Sequence, residues 1–142
     1  MAEALLRLID SRNFEASSAG LSCQPVHPLS LEVMNEIGVD LSEKAPRAVE
    51  QVRDEVFDFV IILDETAVSQ PHRLTAAETV HWKFENPLTA SNVPELQRRA
   101  FRALRDQIAQ RLRLFAIVHV RPINAERTRF ASGPGSPMIQ AR

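Results

Sequence analysis

Apolar positions along this chain alternate between two periods, and the switch between them marks the elements. In Ala2 to Ser11, Leu5, Leu8 and Ile9 fall on one side at helical spacing with Leu6 beside them. No capping residue precedes this helix, so the sequence starts inside a helical pattern. "NFEASSAGLS" predicts a short strand ending at Gly20. "QPVHPLSLEVMNEIG" predicts a helix with Pro28 near its start, Leu29, Val33, Met34 and Ile37 on one face, and Gly38 as its stop. "VDLSEKAPRAVEQV" offers Ser42 as the cap of a further short helix. The continuous apolar run in "FDFVIILDE" is the pattern of a strand covered on both faces, as in a parallel sheet. "TVHWKF" predicts a third strand. Pro94 opens the longest helix, with Phe101, Leu104, Ile108, Leu112 and Phe115 on its apolar face and Arg98, Arg102, Arg105 and Arg113 on a solvated one. After His119 the pattern stops, and "VRPINAERTRFASGPGSPMIQAR" predicts a flexible tail over 120–142 beyond a single domain over 1–119.

Helices alternating with strands predict an α/β fold with a parallel sheet. Composition sharpens this. The 142 residues suffice for one domain with a core, and an apolar content of 44% is that of a globular chain. A net charge of -1 argues against a nucleic-acid partner. No apolar run reaches the roughly 18 to 20 residues that cross a bilayer, and the N-terminus lacks the pattern of a secretory signal. A soluble, cytoplasmic protein with no membrane partner is expected.

Candidate chemistry is concentrated in "ETVHWKFENPLTA", residues 78–90. A strand there runs out into a loop that carries a Trp, a Phe and a carboxylate before Pro87. Trp82 and Phe84 suit core or pocket-wall packing, and alternation turns His81 away from both. His27, His72, His81 and His119 have no metal-ligand spacing, so neither zinc nor any other cofactor is expected. Cys23 is the single cysteine and can close no intrachain disulfide. Asp64 and Glu65 stand at the carboxyl end of a strand, where α/β sites gather, but turn and cap roles suit them as well.

The order of "MAEALLR", "SSAG", "VHPLSLEVMNEIGVDLS", "DFVIIL" and "HWKFENP" resembles the low-molecular-weight protein tyrosine phosphatases and the arsenate reductases that share their fold. The resemblance spans nearly all of 1–119, and "HW-x-F-x-x-P" leans toward the reductase branch. It implies a three-layer αβα sandwich acting on a phosphate or arsenate oxyanion. It also implies a Cys-x5-Arg loop between a first strand and the first helix, with Cys as nucleophile and Arg and loop N–H groups around the oxyanion. In this sequence "MAEALLR", which normally follows that loop, comes first. Cys23 is no substitute, because the residue six beyond it is Leu29. The family's general acid is an Asp directly before the loop proline; here Asn86 stands there, with Glu85 as the possible substitute. "DETAVSQP" has neither of the further cysteines that a thioredoxin-coupled relay needs.

Two accounts follow. The chain is an N-terminally shortened one-cysteine phosphatase or arsenate reductase, inactive as written, or it is a degenerate, non-catalytic member that acts as a binding module. The resemblance also places the absent strand inside the sheet, between Phe14 to Ala19 and Phe59 to Leu63. Its loss predicts two open sheet edges, marginal stability, and self-association through those edges.

Overall fold

The computed structural model describes residues 1–63, 74–120 and 138–141. Helix α1 spans Ala2–Asp10, α2 spans Pro28–Asn35 and α3 spans Pro94–His119. Strands β1 (Glu15–Ser17), β2 (Val56–Ile62), β3 (Thr75–His81) and β4 (Met138–Ala141) form one parallel sheet in the order β1-β4-β2-β3. This is the mixed α/β fold with a short parallel sheet that the alternation predicts. Asp64, Glu65 and His72 lie outside the described residues.

The slot between β1 and β2 is where the sequence placed an absence. It is filled by the chain's own residues 138–141. Glu15, Ala16 and Ser17 pair with Met138, Ile139 and Gln140, and Phe59, Val60 and Ile61 pair with Ile139, Gln140 and Ala141. One expectation is corrected by this. The open edges facing each other across a gap are not there, because β4 pairs with both. Residues 138–141, within the stretch expected as a flexible tail, form an interior strand. Four residues are too few to display a period, and the Pro, Gly and Ser around them dominate any reading of the segment.

One face of the sheet carries the main core. Leu5 and Leu6 of α1, Val33 and Met34 of α2, Ile61 of β2 and Leu112 of α3 are almost wholly buried. The apolar face expected for α3 is the one it buries: Phe101, Ile108, Leu112 and Phe115 are inside, and Leu104 packs against them. Along β2, Phe59 and Ile61 join this cluster while Val60 and Ile62 join a smaller one with Val52 and Leu74, as strand alternation requires, whereas Phe57 at the start of the strand departs from it and joins the smaller one. Among the described residues the second face is covered by the 3-10 turn Val49–Val52 rather than by a helix.

Local expectations fare unevenly. Gly38 does end the α2 segment: it adopts φ +76°, its N–H donates to the Asn35 carbonyl, and the Val39 N–H donates to the Met34 carbonyl. Leu8 is corrected. It is 61% exposed, because α1 turns Ala2, Leu5 and Leu6 to the core and Leu8 leaves that stripe. Ile37 is exposed too, since α2 stops at Asn35 and the chain turns away. Ser42 caps no helix; its N–H bonds the Asp40 carboxylate in a turn, and the only helical residues nearby are Val49–Val52.

The arginines of α3 also differ from expectation. Arg105 is buried, donating to the Val33 carbonyl at 2.8 Å and to Glu36 at 3.2 Å. Arg102 clasps Glu36 at 2.6 to 2.9 Å, and Arg98 reaches Glu32 at 2.5 Å. These side chains join α3 to α2. A helical wheel separates apolar from polar faces but does not show which polar face meets another helix.

Candidate functional site

Parallel α/β sheets gather ligands at the carboxyl ends of their strands, where the following helices present free N–H groups. Here that region is the N-terminus of α1. Its first hydrogen bond of the ladder runs from the Leu5 N–H to the Met1 carbonyl, which leaves the first-turn N–H groups outside it. Beside it lies a cavity of about 200 Å³, lined among others by Ala2, Glu3, Ser18, Gly20, Lys44 and Arg47. At about 30 Å³ per water this holds roughly six waters, enough for a tetrahedral oxyanion and too little for a large ligand.

Sequence and geometry together explain how the walls are set. Arg7 reaches back from α1 to donate twice to the Ala16 carbonyl, at 2.7 and 3.1 Å, and so ties the helix to β1. The chain then leaves β1 through "SSAG". Gly20 pairs with Ala48: its N–H donates to the Arg47 carbonyl at 2.8 Å and its carbonyl accepts from Val49 at 3.0 Å. That bridge brings the Lys44 to Arg47 segment alongside α1.

Among the described residues, Glu3 is the one carboxylate in the cavity wall, beside the cations of Lys44 and Arg47. Its carboxylate accepts from Ser18 Oγ at 2.5 Å and Lys44 Nζ at 2.7 Å, and pairs with Arg7 at 2.9 Å. Burial pushes the Glu3 carboxyl up, but the hydrogen bonds from Lys44 and Ser18 and the charges of Lys44 and Arg7 outweigh it and hold it below the ordinary glutamate value. Sequence reasoning missed this cluster. The Glu3–Arg7 spacing of four was legible as a helical pair, but the approach of Ser18 and Lys44 depends on the fold.

The residues singled out in "HWKFENP" lie elsewhere. Strand β3 ends at His81, and the chain continues extended, with the Trp82 N–H still donating to the Ile62 carbonyl at 2.9 Å. Trp82 packs edge-on against Phe115 of α3 at 6.0 Å, and Phe84 lies under the Arg111 guanidinium at 4.8 Å. Neither lines the cavity at α1. Glu85 and Asn86 are exposed. The Asn86 side chain accepts from the Leu88 N–H at 3.0 Å and caps the 3-10 turn Pro87–Thr89. Cys23 is exposed on the turn before α2, where Gln24 and Val26 line the cavity and Cys23 does not. Among the described residues no group of three or more His, Cys, Asp or Glu is placed to hold a metal, and no helix is long and apolar enough to cross a membrane.

The family model for low molecular weight phosphotyrosine protein phosphatase matches residues 1–128. The chain belongs to that family. Its relatives include arsenate reductases. That of Halalkalibacterium halodurans is 33% identical over 104 residues, which cover 72% of this chain and 75% of the relative. That of Shouchella clausii is 29% identical over 117 residues, covering 82% and 84%. A glutaredoxin arsenate reductase of Synechocystis is 27% identical over 113 residues, covering 79% and 82%. Among solved structures, an arsenate reductase in its oxidised state superimposes with a TM-score of 0.68 at 25% identity, over 82% of this chain and 86% of that one. The family match also extends past residue 119.

Proposed function

We propose that residues 1–142 form an oxyanion-binding scaffold of the arsenate-reductase branch that is inactive as a catalyst, a shortened form of a one-cysteine phosphatase or reductase. The observation that carries this is chemical. The one cysteine sits exposed, away from the α1 cavity, with Leu29 rather than Arg six residues on. The position of the family's acid holds Asn86, whose amide oxygen is already engaged in a cap and which has no acidic proton to give. Glu85 beside it is the carboxylate left to serve as acid. In this reading Trp82 and Phe84 form a wall that fixes the Glu85–Asn86 segment to α3 and do not grip a ligand directly.

The ligand class is phosphate or arsenate, held at the α1 cavity by the first-turn N–H groups with Lys44 and Arg47 nearby. Binding is weak, because Glu3 stays ionised at neutral pH in the same wall. A like charge at about 4 Å costs on the order of 1 to 4 kcal/mol at a wetted surface. The 1–142 chain assayed with an aryl phosphate, and with arsenate plus a thiol reductant, is expected to match a buffer blank. Turnover that Cys23→Ser abolishes would overturn the reading. Phosphate titration is expected to move the amide signals of Ala2 to Ala4 only at millimolar concentrations. Signals unmoved at those levels would remove the cavity from it. A non-catalytic binding role is favoured by one specific feature, the use of Asn86 as a cap, and predicts the same blank assay with retained anion binding.

A further inference from the structure

We propose that the slot between β1 and β2 also accepts strand 138–141 from a second copy of this chain, giving a strand-exchanged dimer. The inference stands on the sheet and does not depend on the oxyanion reading.

Strand β4 is the last described strand along the chain, yet it is interior to the sheet. Its hold is short, with three register pairs to β1 and three to β2, against six between β2 and β3. On the β1 side only Glu15, Ala16 and Ser17 pair with it, because β1 itself is three residues long.

The connection is far longer than a local return needs. His119, at the end of α3, packs edge-on against Phe59 at 4.6 Å, and the register partner of Phe59 is Ile139. With neighbouring strands about 4.8 Å apart, the end of α3 and the start of β4 are roughly 10 Å from each other. Residues 121–137 join them, seventeen in all. Fully extended, that length of chain reaches about 56 Å. A domain of 142 residues is about 37 Å across. The connection therefore spans to a neighbouring molecule as readily as it returns to its own.

The closed and exchanged forms have identical seams, so no contact distinguishes them. What does is concentration, set against the millimolar effective concentration of a tethered strand. Order of assembly favours exchange during folding. The pairs of β1 with β4 join residues far apart in sequence, and such non-local pairs form late. While the slot stands open, a second chain's strand competes for it.

The test uses full-length chains carrying Cys23→Ser. One also carries Ser17→Cys and the other Gln140→Cys, which are register partners. Neither chain can form an internal disulfide. They are refolded together from denaturant at a series of concentrations and oxidised. The expected result is a 17–140 linked heterodimer, identified by mass, whose yield at low conversion rises about tenfold for a tenfold rise in concentration. A single chain carrying both substitutions should close internally at low concentration. The pair Ile61→Cys and Ala141→Cys, on the β2 side, repeats the test where the first pair folds poorly. The proposal is overturned where internal closure occurs and no heterodimer forms at any concentration with either pair. Failure of internal closure with both pairs overturns it as well, since the strand would then not lie in the slot.

Discussion

Removing strand β4 should cost this protein much of its stability, and the sheet fixes how much. A chain ending at residue 137 loses the six register pairs that β4 makes with β1 and β2. A parallel ladder carries about one backbone hydrogen bond per pair, so about six are lost. At a net 0.5 to 1.5 kcal/mol each the loss is about 3 to 9 kcal/mol. The freed groups of β1 and β2 face a slot between covered layers, where water reaches them poorly, and this favours the upper part of that range. Typical domains have only about 5 to 15 kcal/mol in total. The truncated chain should therefore unfold at a much lower denaturant midpoint, and should aggregate through the slot at high concentration. Ile139→Pro in the full chain, which removes one N–H from an interior strand and leaves its acceptor unpaired, should act in the same direction at about 1 to 3 kcal/mol. Denaturant unfolding followed by far-UV circular dichroism measures both, and amide exchange at Phe59 to Ile61 should quicken in both. A 1–137 chain whose midpoint and slope match those of the full chain would show that β4 contributes nothing, and the account of the sheet would fail.

Three further outcomes are expected. Arg105→Met should cost about 1 to 3 kcal/mol, because it leaves the buried Val33 carbonyl without its partner, whereas Arg98→Ala, at an exposed pair, should cost less than about 1 kcal/mol; equal losses in denaturant melts would contradict this. The Glu3 carboxyl is held low in the folded state, so its contribution is complete above its unfolded value of about 4.5 and is lost as pH falls through the folded value; Glu3→Gln should lower stability at neutral pH and flatten the acid limb, and an unaltered limb would count against the cluster. Asn86→Asp should keep the cap on Leu88 and, under the proposed reading, still give no turnover in the 1–142 chain, because no cysteine is among the described residues that line the α1 cavity; measurable activity would mean that Cys23 or another group serves.

What the sequence made legible followed from repetition. The 26 residues of α3 repeat their apolar spacing over seven turns, and the buried set is the one that spacing selects. Gly38 was legible because one residue type satisfies a positive φ after a helix. The apolar run of β2 declared an interior strand. Other features depended on single long-range approaches that have no period. Arg105 is buried because α2 passes over it, and nothing in "RALRDQ" records that. Ser18 and Lys44 meet Glu3 only because the Gly20–Ala48 bridge turns two loops together. Strand β4 was hidden for the same reason in stronger form: four residues within a Pro- and Gly-rich stretch carry no signal of their own.

The slot between β1 and β2 is the place in the sheet to which the family resemblance pointed, but the open edges it implied there are not found. Neighbouring β1 and β2 define a place in the sheet through their spacing, their direction and the helices above them. A parallel strand is accepted there by backbone hydrogen bonds, which are indifferent to side-chain identity and to position along the chain. The requirement is therefore for some extended segment, of the correct direction and within reach. Residues 138–141 meet it after a connection of seventeen residues. Backbone pairing carries no chemistry of its own: residues 138–141 complete the ladder, while any reaction depends on the side chains and N–H groups at the α1 cavity. The two groups of experiments, on the strand and on the cavity, therefore test separate properties of the fold.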